Sequence, residues 1–234
     1  MFGNVALASA CLAALVAGLP VAERDTVPDS YTFYQGDGST AAGWPSMDSW
    51  LPLDELWGRN SALMNQTCTW NGWGADDSEG EIAAVGNAIQ QAAAQYDVDS
   101  RFVLAVMMQE SKGCVRAPTT NNGVVNPGLM QSHNGAGTCA GEPSCPEDTI
   151  KQMIDDGVGG TASGDGLKQL LAKARGDIGA GSDDGRVYYT AARLYNSGKA
   201  DYTNLDLGLG STACYASDIA NRLRGWTQAR STCG

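Results

Sequence analysis

The sequence predicts a mainly α fold with little sheet. Apolar residues recur at spacings of three and four over several long stretches, no run alternates with period two, and no internal repeat is visible.

The helical pattern sets in after Asp76-Asp77-Ser78, where Ile82, Val85, Ile89, Ala92, Ala93 and Tyr96 fall on one face. Asp77 or Ser78 supplies the cap. Asp99 opens a second helix through Phe102, Val103, Leu104, Val106, Met107 and Met108, apolar nearly all round and therefore buried, with Gly113 as its stop. Residues 117–137 hold Pro, Asn and Gly around the short apolar patch Gly128-Leu129-Met130, which reads as an irregular or hairpin-like segment. Pro146-Glu147-Asp148 starts a helix over 149–154, a Gly-rich stretch at 157–166 breaks it, and further helices are expected at 167–175, 187–195 and 213–226. The Gly-rich stretch lacks the Lys-Ser/Thr ending and the preceding strand of a phosphate-binding loop, so it reads as a connection.

Residues 19–75 show no sustained period and are expected to hold few regular elements. Yet Trp44, Trp50, Trp57, Trp70 and Trp73 lie there, five of the chain's 6 tryptophans, so its composition is unlike that of a disordered linker. Packing of this arm on the main domain is the plainer expectation; a sugar-stacking surface is the sharper one.

The apolar, Ala-rich stretch at 5–18 is too short to span a bilayer and precedes small residues, which reads as a secretory signal cleaved near Val16-Ala17-Gly18. The expected organisation is a signal at 1–18, a Trp-rich arm at 19–75 and a catalytic domain at 76–234. The mature chain is read as secreted, extracellular, monomeric and without stable membrane association. Of 7 cysteines, Cys11 leaves with the signal, and the remaining even set points to three disulfides, with Cys139–Cys145 and Cys214–Cys233 paired by proximity. Asn65-Gln66-Thr67 is an N-glycosylation sequon. A net charge of -11 argues against nucleic-acid partners and fits solubility at mildly acidic pH.

Glu110 closes the buried helix, where the carbonyls converge and Val106 and Met107 lie on adjacent turns. The helix C-terminus and desolvation both disfavour its anion, as a general acid requires. The alternative from this helix alone is a surface Glu paired with Lys112 or Arg116. Three motifs then follow in order: Gln109-Glu110-Ser111, Gly128-Leu129-Met130-Gln131, and Ala191-Ala192-Arg193-Leu194-Tyr195-Asn196-Ser197-Gly198. Together with Tyr96-Asp97-Val98-Asp99, they resemble the lytic transglycosylases and goose-type lysozymes over about residues 79–225.

The resemblance implies a lysozyme-like α(+β) fold with a small hairpin or irregular segment beside a sugar cleft. It makes Glu110 the acid/base and Ser111, Met130, Gln131, Tyr195 and Asn196 substrate-binding, with Met130 and Gln131 at the cleft floor. It also sets the Tyr195 hydroxyl to hold the Glu110 carboxyl and makes Asn196 the close of its helix. The implied activity is cleavage of β-1,4-linked N-acetylmuramic acid and N-acetylglucosamine in peptidoglycan by a secreted eukaryotic enzyme. Chitin is the runner-up substrate, and a non-catalytic glycan binder on the same scaffold is the rival of another class.

Between Ser111 and Ala140 there is neither Asp nor Glu. A second carboxylate for a two-acid mechanism is therefore missing locally, which favours a one-carboxylate route assisted by the substrate's acetamido group. Asp183, Asp184 or Asp201 are the distant acids that could reach the cleft. No cofactor or metal is expected, because the only histidine, His133, stands in no Ser-His-Asp or His-Glu-x-x-His arrangement and the cysteines lack metal-ligand spacing. His133 reads as a loop residue near the cleft by adjacency to Gln131.

Overall fold

The computed structural model describes residues 27–179 and 185–233. The expected signal, Cys11, Asp183 and Asp184 lie outside them. Within the described residues there are seven α-helices, α1 (Leu53–Trp70), α2 (Glu79–Tyr96), α3 (Ser100–Ser111), α4 (Glu147–Gly159), α5 (Leu167–Ile178), α6 (Gly185–Ser197) and α7 (Tyr215–Leu223). A two-stranded antiparallel hairpin, β1 (Thr120–Asn121) with β2 (Val125–Asn126), pairs Thr120 with Asn126 and Asn121 with Val125. The fold is mainly α, as the periodicity requires, and no described helix is long and apolar enough to cross a membrane.

Helix α3 is the centre. Phe102, Val103, Val106 and Met107 are fully shielded, and the helix packs against α1, α2 and α7. Each such side chain contributes roughly 1.5–3 kcal/mol through burial. Ser78 starts α2 with a capping box: its hydroxyl accepts from the Glu81 backbone N–H, while the Glu81 carboxylate accepts from the Ser78 N–H at 2.8 Å. Asp99 caps α3 by accepting from the Arg101 N–H, and α3 stops where Lys112 turns left-handed at φ 57.

The expectation of little regular structure over 19–75 is overturned by α1. Its buried positions Leu56, Asn60, Met64 and Cys68 recur every fourth residue, so a helical period is present. Asn60 masks it: its amide nitrogen donates to the Leu56 carbonyl at 2.7 Å, while its buried amide oxygen has no partner among the described residues. Nor does this segment stand apart from the rest of the molecule. Trp44 and Trp50 are buried in the main core, Trp50 Nε1 donates to the Tyr189 hydroxyl at 2.8 Å, and Thr32 and Asn221 exchange two hydrogen bonds across α7. Core packing therefore accounts for Trp44 and Trp50, whereas Trp70 is 57% exposed.

Three disulfides are formed. Cys139–Cys145 and Cys214–Cys233 pair as proximity predicts, and Cys68–Cys114 ties the end of α1 to the segment after α3. Beside the last of these, Arg116 is buried between Asp77 and Glu81, at 3.3 and 2.7 Å, and donates to the carbonyls of Glu142 and Pro143. Glu81 also accepts from the Cys145 N–H at 2.7 Å, so one buried arginine joins the start of α2 to the small-disulfide loop.

Candidate active site

A groove runs across one face of the molecule in two confluent parts. The first, about 580 Å³, has Glu110 in its wall with Thr120, Asn122, Asn126 and Gln131 from the hairpin side and Tyr195, Asn196, Ser211 and Thr212 opposite. The second, about 910 Å³, shares Asn122, Asn126, Gln131, Tyr195, Asn196 and Ser211 and extends past His133 to the Gly-rich connection at 161–165. Each part is within the size of ordinary ligand clefts, and together they make a long, open, polar trough.

Glu110 is brought to this wall by the last turn of α3. It is partly buried, and desolvation pushes its carboxyl up to about 7, against the opposing pull of a hydrogen bond from Tyr215 and the charges of Lys112 and Arg222. The Tyr215 hydroxyl donates to Glu110 Oε1. Burial raises the Tyr215 phenol well above its ordinary value, so this group stays a neutral donor. The surface ion-pair alternative for Glu110 does not hold: Lys112 donates to the Gln109 carbonyl at 3.1 Å, and Arg116 is spent on Asp77 and Glu81.

Gln109 stands behind the acid. Its Oε1 accepts from Arg222 Nε at 2.7 Å and its Nε2 donates to Asp218 Oδ2 at 2.9 Å, while Tyr31 donates to Asp218 Oδ1 at 2.6 Å. Arg222 also lies over the Trp226 ring at 4.6 Å. This network locks the end of α3 to α7 and to the N-terminal segment, which fixes the backbone from which Glu110 projects.

Gln131 and Asn196 reach the groove surface. Gln131, held at φ 45, donates from Nε2 to the carbonyls of Pro118 and Gly128 and accepts from Thr120 Oγ1 at 2.9 Å, so it braces the hairpin. Two expected contacts are corrected. Ser111 is fully buried, bonded to the Met107 carbonyl at 3.1 Å, because one residue beyond Glu110 the helix has turned about 100° toward the core. Met130 is also fully buried. It sits beneath the groove against Gly157, where an added Cβ would lie 2.4 Å from Met130 Cβ.

Tyr195 lines the groove, but the expectation that its hydroxyl holds Glu110 is overturned. It donates to the Met130 carbonyl at 2.7 Å instead. That role falls to Tyr215, which the sequence reading missed. The run that forms α7 was legible as a helix, but nothing local marks which of its residues faces a carboxylate 105 positions away.

No second carboxylate lines the part of the groove that holds Glu110, and Asp165 is the only other one along its described length. Asp201 is absent from the lining and bonds Thr203. His133 does line the second part, as adjacency to Gln131 suggested. A buried set, Cys68, Asp77 and Cys114, has metal-like proximity, but both sulfurs are joined in the disulfide. No protein-family model matches the chain, and no curated protein matches it.

Proposed function

We propose that this protein is a secreted glycan-cleaving enzyme of the lysozyme and lytic transglycosylase type, acting on β-1,4-linked amino sugars of peptidoglycan, with Glu110 as general acid and base. The observation that carries the reading is a carboxyl kept protonated up to about 7 in the wall of a long polar groove. The resemblance of the three motifs to that family points the same way.

The chemistry needs one carboxyl. Glu110 gives its proton to the glycosidic oxygen as the C1–O bond breaks, and the 2-acetamido carbonyl oxygen of the substrate bonds to C1. The Glu110 carboxylate, stabilised by the Tyr215 hydroxyl, then takes a proton from the incoming hydroxyl that displaces the acetamido oxygen. Attack by the muramyl 6-hydroxyl leaves a 1,6-anhydro end; attack by water leaves a reducing end.

Chitin is the second reading. The groove is lined by amides and hydroxyls, with Lys173 its only cation among the described residues, which suits an uncharged polymer.

The test is incubation of wild type and Glu110→Gln with peptidoglycan, chitin oligomers and mannan, with mass spectrometry of the ends. Anhydromuramyl ends from wild type, lost at least about 10³-fold in the variant, are expected. Glycan binding without cleavage by wild type, unchanged in the variant, would leave the binder reading in place of the enzyme.

A further inference from the structure

Arg193 is fully buried on α6 and forms no ion pair among the described residues. A desolvated guanidinium is costly, and the buried Asp206 carboxyl acts on it only through space, so the atoms that Arg193 bonds directly matter. They converge on the groove. One terminal nitrogen donates to the Thr212 carbonyl at 2.8 Å, the other donates to Asn196 Oδ1, and the guanidinium carbon lies 5.9 Å from the centre of the Tyr215 ring. Thr212 and Asn196 both line the part of the groove that holds Glu110.

Arginine has donors only, so the atom of Asn196 that meets it must be the amide oxygen. The amide nitrogen is thereby turned away from Arg193, and no protein acceptor takes its hydrogens within the described structure. A free asparagine could flip and offer either end to a ligand. This one cannot without facing its own N–H groups to the guanidinium and leaving that buried terminal nitrogen without an acceptor, the Thr212 carbonyl serving only the other one.

We propose that Arg193 is a positioning residue that fixes Asn196 as a hydrogen-bond donor to the acetamido carbonyl of a bound sugar, and so selects N-acetylated over deacetylated glycan. Sugar hydroxyls accept and donate, and a rotated hydroxyl satisfies either end of an amide. An amide carbonyl only accepts, so a donor locked in one orientation discriminates for it. The inference rests on the glycan reading of the groove but not on cleavage.

The experiment is binding of chitotetraose and of its fully deacetylated counterpart, in a Glu110→Gln background so that nothing turns over. Salt near about 0.5 M suppresses attraction between the acidic protein and the ammonium groups of the deacetylated sugar. The Glu110→Gln protein is expected to prefer the acetylated tetramer by about tenfold or more, the worth of one well-made hydrogen bond. Adding Asn196→Asp replaces the donor by an acceptor while giving Arg193 a carboxylate. The preference should fall to within about twofold with no loss of thermal stability, which separates the donor role from a structural one.

Adding Arg193→Met frees the amide to flip and should also erode the preference, with Arg193→Lys restoring part of it. Retention of the preference in Asn196→Asp would overturn the proposal, as would its retention in a folded Arg193→Met protein or equal binding of the two sugars from the start. Cleavage without acetyl discrimination would sink this inference and leave the enzyme reading standing. Discrimination without cleavage by the Glu110-containing protein would do the reverse.

Discussion

The Tyr215 hydroxyl donates to Glu110 Oε1, joining the first residue of α7 to the last turn of α3. The bond favours the carboxylate, whereas desolvation favours the acid, and the balance leaves Glu110 titrating at about 7. Tyr215→Phe removes the first influence and keeps the second. The carboxyl should then hold its proton to higher pH, moving the alkaline limb of the kcat/KM profile upward. Turnover at the optimum should fall about tenfold or more, because the anion formed after proton donation loses its donor. An unmoved limb would show that Glu110 is not the titrating acid.

Stability should decline from mildly acidic toward neutral pH. Burial raises Glu110 from 4.5 to about 7, Asp77 from 3.8 to about 7 and Asp206 from 3.8 to about 6. For each, the unfolded chain ionises first as pH rises, so the folded state binds more protons and loses relative stability until its own pKa is passed. The stability these groups contribute is thus full below about pH 4 and gone above about pH 7 to 8. Asp29, Asp37 and Glu81 are shifted down and act oppositely, losing their contribution in acid. Thermal melting should therefore peak near about pH 4.5–5. Glu110→Gln should flatten the fall between about pH 5 and 7 by a few degrees, and a melting temperature that rises toward pH 8 would contradict the burial of these carboxyls.

The disulfides differ in what they restrain. Cys68–Cys114 closes a separation of 46 residues and Cys139–Cys145 one of 6. Loop-closure entropy assigns about 4 kcal/mol to the first and about 2 kcal/mol to the second. Replacing the first pair by alanine should lower the melting temperature by about 10 °C, roughly twice the effect of replacing the second. Equal losses would mean that local distortion outweighs chain entropy.

What the sequence made legible follows from where each signal lies. Helices α2 and α3 carry their own caps and apolar faces, in Ser78 with Glu81 and in Asp99, so local residues suffice to draw them. Helix α1 escaped because a polar residue, Asn60, occupies a buried register position, with its amide nitrogen bonded inside its own helix. Glu110 was readable from its place at the end of a buried helix. Its partner was not: Tyr195 and Tyr215 are both tyrosines near the groove, and only tertiary packing sends the first hydroxyl to the Met130 carbonyl and the second to the acid. Ser111 and Met130 belong to motif segments that reach the site, yet helix rotation and the close approach of Gly157 turn their side chains into the core.

Under the proposed glycan-cleaving function, Asp165 is the residue that tells one-acid from two-acid chemistry. It is the only carboxylate besides Glu110 along the described groove, and it lies on the Gly-rich connection, in the part that Glu110 does not line. A base that activates water must stand roughly 6.5–9.5 Å from the acid, across the sugar ring. If the acetamido group of the substrate does that work, Asp165→Asn should keep kcat within about threefold of wild type, and a substrate whose acetamido is replaced by a hydroxyl should not be cleaved. A loss of about 10³-fold in Asp165→Asn, with full cleavage of the hydroxyl analogue, would instead make Asp165 the base. The product would then be an inverted reducing sugar with no anhydro end, because an enzymatic base that delivers water leaves no role for the muramyl 6-hydroxyl.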